Sequence, residues 1–203
     1  MNRRAMSKTY PLLAALLLSL AACKGADPKT PLDQAPLAGA KIGGEFTLSD
    51  KAGKTVRWAD FNGKWRVIYF GYTYCPDVCP LDVNHMAQGL AKFRKAEPDL
   101  ADKVQPIFVG VDTARDTPAR VGEFAAAFSP QLVGLSGTEE QVRAAAKAFA
   151  VYYAKGKATP DGGYVMDHSR AAFLFDPAGK PIATLPVEQG ADQVAAELAQ
   201  WVR

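Results

Sequence analysis

The run Trp65-Arg66-Val67-Ile68-Tyr69-Phe70-Gly71-Tyr72, followed at once by Thr73-Tyr74-Cys75-Pro76-Asp77-Val78-Cys79-Pro80-Leu81, decides how the rest of the chain is read. Its first half is a nearly unbroken apolar and aromatic stretch, as suits a central strand buried on both faces. Its second half places two cysteines four residues apart, just before Val83, Met86, Leu90 and Phe93 recur at helical spacing. The pair therefore lies where a central strand passes into a helix. In open α/β sheets, the crevice beyond the carboxyl ends of the strands is where ligands bind.

Outward from this stretch, strand and helix signals alternate. Residues 45–49 and 55–58 flank Asp50-Lys51-Ala52-Gly53-Lys54, which predicts a hairpin. Residues 107–111 read as a second buried strand. Asp116-Thr117-Pro118 sets a capping side chain before a proline at the first helical position, opening a helix through Phe128. Thr138-Glu139-Glu140-Gln141 fits a capping box for a helix to about Ala150. Residues 171–175 and 182–185, joined by Asp176-Pro177-Ala178-Gly179-Lys180, form a late hairpin, and 191–202 close the chain as an amphipathic helix. The pattern is that of an α/β sandwich, with residues 39–203 as one domain around one core.

The start of the chain reads differently. Arg3, Arg4 and Lys8, a short apolar run from Leu12 to Leu20, and the small residues before Cys23 have the form of a secretory signal peptide over residues 1–22. The apolar run falls short of the roughly 20 residues that a membrane-spanning helix requires. Leu20-Ala21-Ala22-Cys23 resembles the lipobox of bacterial lipoproteins, which implies lipidation at Cys23 and stable anchoring through several acyl chains. Residues 23–38, with Pro28, Pro31 and Pro36, read as a tether between lipid and domain. The expected location is a membrane-anchored lipoprotein facing the periplasm or extracytoplasmic space. Processing also alters the charge balance. The chain has 24 Lys+Arg and 21 Asp+Glu, and residues 1–22 carry three of the basic residues and none of the acidic ones, leaving 21 against 21. A balanced domain makes no electrostatic case for nucleic acid as a partner.

With Cys23 lipidated, only Cys75 and Cys79 remain as thiols, in a compartment that favours oxidation. A helical four-residue separation puts the two Cα atoms about 6 Å apart. That suits both a disulfide and two thiolates sharing one metal ion, whose sulfurs need a separation of about 4 Å. As a structural staple the pair would close a very short loop, where cross-linking stabilises least. The chemistry is therefore functional: redox exchange, peroxide reduction or metal binding. The Cys-x-x-x-Cys spacing differs from the Cys-x-x-Cys of thioredoxins, and Thr73 stands one residue nearer to Cys75 than in the peroxiredoxin pattern. A metal would need a further ligand, and the chain has two histidines. His85 falls off the apolar stripe of its helix and reads as solvated surface. His168 falls in a loop before the late hairpin, and spacing alone does not bring it to the cysteines. Asp77 reads as a capping or solvent-facing carboxylate. Asp112 and residues 115–118 read as a strand end and a helix cap.

Four stretches, in this order, are similar to signatures of the Sco/SenC family of copper chaperones: FGYTYCPDVCP at 70–80, VDTARDTP at 111–118, GLSGTEEQVRAAAKAF at 134–149 and YVMDHSRAAFLFDPAGK at 164–180. The resemblance covers the chain from about residue 40 onward. It implies a thioredoxin-like three-layer sandwich with an N-terminal hairpin extension. It also implies one copper ion, Cu(I) or Cu(II), held by Cys75, Cys79 and His168, and a role in delivering copper to, or maturing, the dinuclear copper site of cytochrome c oxidase. The implied partners are subunit two of the oxidase, a periplasmic copper carrier and a thiol reductase. Cys75 and Cys79 would act as a redox dithiol that alternates with a disulfide. The competing reading is a thiol–disulfide oxidoreductase that reduces the cysteines of the oxidase copper site or acts in redox sensing.

Overall fold

The computed structural model describes residues 29–159 and 162–203. In chain order its elements are β1 (Thr47–Ser49), β2 (Thr55–Arg57), β3 (Trp65–Gly71), α1 (Val78–Ala96), α2 (Pro98–Ala101), β4 (Val104–Gly110), α3 (Pro118–Phe128) and β5 (Val133–Leu135). They continue with α4 (Glu139–Ala148), β6 (Tyr153–Ala158), β7 (Tyr164–His168), β8 (Ala172–Phe175), β9 (Pro181–Leu185) and α5 (Ala191–Trp201).

Every residue of β3 is buried, which explains its lack of apolar/polar alternation. Its side chains still alternate between two cores. Trp65, Val67 and Tyr69 face α1, α3 and α5 through Val83, Met86, Val121, Val194 and Leu198. Ile68 and Phe70 face β1 and α4 through Leu48, Val142 and Ala145. This is the three-layer arrangement expected. The central sheet runs in the order β5-β4-β3-β8-β9, and the N-terminal hairpin of β1 and β2 forms its own small sheet. The hairpin is joined to the domain by paired backbone hydrogen bonds between Ser49 and Ser136, at 2.7 and 3.0 Å.

Two pairings position the site. β3 and β4 run parallel, with Gly71 beside Gly110, so the loops after both strands emerge at one edge. β8 runs antiparallel to β3, with Ala172 opposite Tyr69, so the chain before Ala172 arrives at that same edge. The caps at Thr117 and Thr138 form as expected, the latter with its reciprocal Gln141 contacts.

Two expectations need correction. The stretch read as a tether through residue 38 packs on the domain before that point. Leu32 to Gln34 form a 3-10 turn, Ala35 is buried, and the Leu37 N–H donates to the Ile182 carbonyl at 2.9 Å. The apolar residues Leu32, Ala35 and Leu37 among the prolines account for this, since burying them offsets the cost of ordering the chain. Second, His168 ends a strand rather than lying in a loop, because β6 and β7 form an antiparallel hairpin. Tyr-Ala-Lys-Gly-Lys-Ala carries little strand preference of its own, so only pairing with β7 reveals β6. β5, at three residues, is too short to show a period in the sequence. The signal-peptide segment and Cys23 lie outside the described residues. No helix of the described residues is long and apolar enough to cross a membrane.

Candidate metal centre

The cysteines do not share a helix. Cys79 is the second residue of α1, whereas Cys75 lies in the turn before Asp77, the residue that precedes the first turn of the helix. The helix N-terminus nevertheless acts on the pair as its dipole requires. The Cys79 backbone N–H, one of the donors that a helix start leaves without an internal partner, points at Cys75 Sγ from 3.3 Å. Cys79 is fully buried and Cys75 half-buried, and both thiols are free. Asp77 is exposed and makes no side-chain cap, so its carboxylate faces solvent.

The hairpin of β6 and β7 brings His168 to the sulfurs. Its Nε2 lies 3.1 Å from Cys79 Sγ, and Nε2 and the two Sγ atoms all lie within 4.8 Å of one another. On the other side of the ring, Nδ1 is 3.0 Å from the Ser169 carbonyl. A carbonyl only accepts, so Nδ1 carries a proton and Nε2 is the atom turned to the sulfurs, the usual arrangement of a metal-binding imidazole. The edges of Tyr69 and Tyr72 flank the ring, with centroids at 6.1 and 5.8 Å and both planes near perpendicular to it at 84°.

The two thiols are driven apart in acidity. Cys75 is held well below its ordinary value, first by a hydrogen bond from the Cys79 thiol, which outweighs burial. The backbone N–H groups of Cys79 and Asp77 add to the effect. Cys79 is raised, first because its proton serves Cys75 and then by burial. One thiolate is thus present before any ligand arrives. Tyr72 is pushed up to about 12, mainly by burial, and stays a neutral hydroxyl beside Cys75. Two sulfurs and one imidazole nitrogen suit a soft or borderline ion such as copper. The donor atoms lie close to the separations of about 4 Å that a shared ion would impose.

Two acidic residues of the 111–118 segment hold the cysteine turn. Asp116 is buried and accepts from the Thr73 N–H at 3.0 Å and the Thr73 hydroxyl at 2.7 Å. It also accepts from the Asp112 N–H at 3.2 Å. Asp112 pairs with Arg115 and accepts from the Tyr164 hydroxyl at 2.8 Å. The Arg115 guanidinium stacks on Tyr164, 3.7 Å from its ring centroid, and lies 4.9 Å from that of Tyr74. This segment is therefore more than a strand end and a helix cap, because it ties the cysteine turn to the histidine hairpin. His85 is not free surface either. Its Nδ1 lies 2.7 Å from the Val187 carbonyl, across the packing of α1 against the turn before α5, and it plays no part in the cluster.

Sequence reasoning passes over Tyr164, Arg170 and Asp82. Only Asp82 carries a signal, since an acidic residue on the same helical face as Cys79 and Met86 is fully buried and needs partners. It finds them in Tyr69 and Arg170.

A mixed α/β sandwich that sets two thiols and an imidazole together at the carboxyl ends of its central strands defines a thioredoxin-like protein built to hold a soft metal ion. The SCO1/SenC family model matches residues 34–203, and the chain belongs to that family. It is 43% identical over 136 residues to the mitochondrial SCO2 homolog of Mus musculus, covering 67% of this chain and 52% of that protein. Against SenC of Rhodobacter capsulatus it is 43% identical over 140 residues, covering 69% and 61%. The chain spans about half the length of the mitochondrial relatives it matches. Among solved structures, copper-bound ScoI of Arabidopsis thaliana superposes with a TM-score of 0.73 at 33% identity, covering 78% of this chain and 96% of that one. Copper-bound ScoI of Bradyrhizobium japonicum does so with a TM-score of 0.70 at 37% identity, covering 79% and 99%.

Proposed function

We propose that this protein is a copper metallochaperone that carries one copper ion on Cys75, Cys79 and His168. It would deliver the ion to, or mature, the dinuclear copper site of cytochrome c oxidase, with subunit two as the recipient. The observation that carries this reading is the convergence of His168 Nε2 on the two sulfurs within 4.8 Å, by a ring whose other nitrogen is already bonded to Ser169. Thiolates select Cu(I), and imidazole also accommodates Cu(II). A centre with three donors, one of them half-exposed, leaves room for a recipient's ligands to take the ion by exchange. The half-exposed residue is Cys75, which already carries the thiolate.

Loading requires the reduced pair, because a disulfide offers no thiolate. Oxidation of the Cys75 thiolate and the Cys79 thiol to a disulfide passes two electrons and the Cys79 proton to an acceptor, and reduction by a thiol reductase restores the pair. A periplasmic copper carrier would supply the ion. In this reading Cys23 is lipidated after removal of residues 1–22, and the protein works from a membrane surface outside the cytoplasm.

The acidity difference favours a second reading, a thiol–disulfide oxidoreductase. A half-exposed Cys75 thiolate is the nucleophile for a partner's disulfide, and the buried Cys79 then resolves the mixed disulfide. One experiment separates the two. Reduced protein is titrated with copper, followed by ultraviolet–visible absorption and by EPR, beside the His168→Ala variant. The chaperone reading expects one ion per chain and an affinity lowered at least about tenfold in the variant, with thiol exchange largely kept. Unchanged copper affinity in His168→Ala would remove the three-donor centre.

A further inference from the structure

We infer that the ion pair between Asp82 and Arg170 is a clasp that sets His168 over the two sulfurs, making Asp82 and Arg170 positioning residues of the centre. The inference rests on the three-donor reading of that centre. It starts from a contrast in how the donors are held. The cysteines sit at the root of α1, against the core. His168 ends a peripheral hairpin that forms a two-stranded sheet of its own, and no residue along β6 or β7 is fully buried. Continuous apolar burial resumes only at Ala172. Tyr153 and Met166 reach the core only as partly buried side chains, so packing alone holds the hairpin, and the imidazole on it, less firmly than the core holds Cys79.

A specific polar contact adds to that hold. Asp82 lies three residues after Cys79, on the same face of α1, and is fully buried. Arg170 lies two residues after His168. Its Nε and Nη2 donate to the two carboxylate oxygens of Asp82 at 3.0 and 2.7 Å, and the Tyr69 hydroxyl donates to the same carboxylate at 2.9 Å. The 168–170 segment thus meets α1 at two rungs, His168 on Cys79 and Arg170 on Asp82. A planar guanidinium gripping a carboxylate by two parallel bonds fixes orientation as well as distance, which an ammonium does not. Asp82 is fully buried while the Arg170 side chain is 41% exposed, so losing the guanidinium would leave the carboxylate without its counter-charge. Tyr69 adds the third corner, for its hydroxyl holds Asp82 while the edge of its ring faces His168. Ligand geometry has to be held to about 0.5 Å for a metal centre to work, and this bidentate clasp supplies that constraint at the end of the hairpin that carries His168.

The test compares Cu(I) affinity, by competition with a chromophoric chelator, for reduced wild type, Arg170→Ala, Arg170→Lys, His168→Ala and the double variant Arg170→Ala/His168→Ala. The clasp predicts a loss of about 10- to 100-fold in Arg170→Ala, the range for residues that orient a ligand. Arg170→Lys should recover part of that loss, and Arg170→Ala should cost nothing further once His168 is gone. Equal loss in both backgrounds, or wild-type affinity in Arg170→Ala, overturns the proposal. Amide hydrogen exchange on the copper-free protein gives a second readout. Arg170→Ala should speed exchange in Tyr164–His168 and leave β3 unchanged, whereas equal acceleration in β3 would assign Arg170 to general stability and overturn the clasp. If His168→Ala alone leaves affinity intact, the three-donor centre has failed, and the exchange data still decide whether Arg170 holds the hairpin. Asp82→Asn should match Arg170→Ala in direction, and the Arg170 variants carry the test if Asp82→Asn does not fold.

Discussion

The cysteine arm and the histidine arm of the centre meet within hydrogen-bonding distance, yet they are anchored by different physics. Cys79 Sγ is fully buried where β3 gives way to α1 and belongs to one of the two cores, so moving it disturbs the core. His168 arrives on two short strands whose residues are all half-buried or exposed, held by Asp82–Arg170 at the base and by Tyr164, Asp112 and Arg115 nearer the start of β7. Cys79 is positioned by packing, and His168 mainly by polar contacts. Packed cores resist small displacements, whereas surface hairpins open locally at much lower cost. A carrier of an exchangeable ion gains from this division, because the sulfurs keep their geometry while the imidazole can be withdrawn.

The largest expected effect falls on the packed arm. Cys79→Ser should lower copper affinity by more than about 100-fold, beyond the range for residues that only orient a ligand, with circular dichroism unchanged. Affinity within tenfold of wild type would mean that the imidazole side dominates. Next, amides of Tyr153–Ala158 and Tyr164–His168 should exchange with solvent at least about 100-fold faster than those of β3 and β4, since local openings span the range from near zero up to the global stability. Equal protection would erase the contrast. Gly71→Ala should then cost about 1–3 kcal/mol in urea unfolding, as overpacked cores do. The added Cβ would stand 2.9 Å from Tyr69, 3.0 Å from Phe108 and 3.2 Å from Cys79 Sγ. A neutral outcome would show the packed arm to be softer than its burial suggests.

The smallest effect concerns the link between the arms. Burial raises the Asp116 carboxyl above its ordinary value, against the hydrogen bonds from Thr73 and Asp112 that favour the ionised form. The folded state therefore binds this proton more tightly than the unfolded chain does. The resulting stability is fully present below the unfolded value and is lost as pH rises through the raised one. Urea unfolding across that interval should show a declining contribution in wild type that disappears in Asp116→Asn. The same slope in both would assign it to another group.

Much of this architecture can be read from residue order alone, because its causes are local. The unbroken apolar run at 65–72 requires burial on both faces, the Thr117 and Thr138 caps are built within three residues of themselves, and Cys75 and Cys79 are neighbours in any fold. The tether boundary and the strands β5 to β7 are not legible, since Ala35 and Val133 acquire their structure from partners distant in the chain and the Lys-Gly-Lys of β6 only from pairing with β7. His168 belongs with these. Its motif matched a known family, but its reach to the sulfurs follows from β8 running antiparallel to β3, which returns the chain to the edge that the cysteines leave. His85 shows the reverse, a residue that reads as free surface until the Val187 carbonyl is placed beside it. The sequence by itself determined the sulfur pair and the strand-to-helix corner that carries it, because those depend on spacing and burial along one stretch. Only the tertiary structure decided how His168 reaches the sulfurs and what holds it there, because that contact joins residues 89 positions apart through strand pairing and an ion pair to a buried carboxylate.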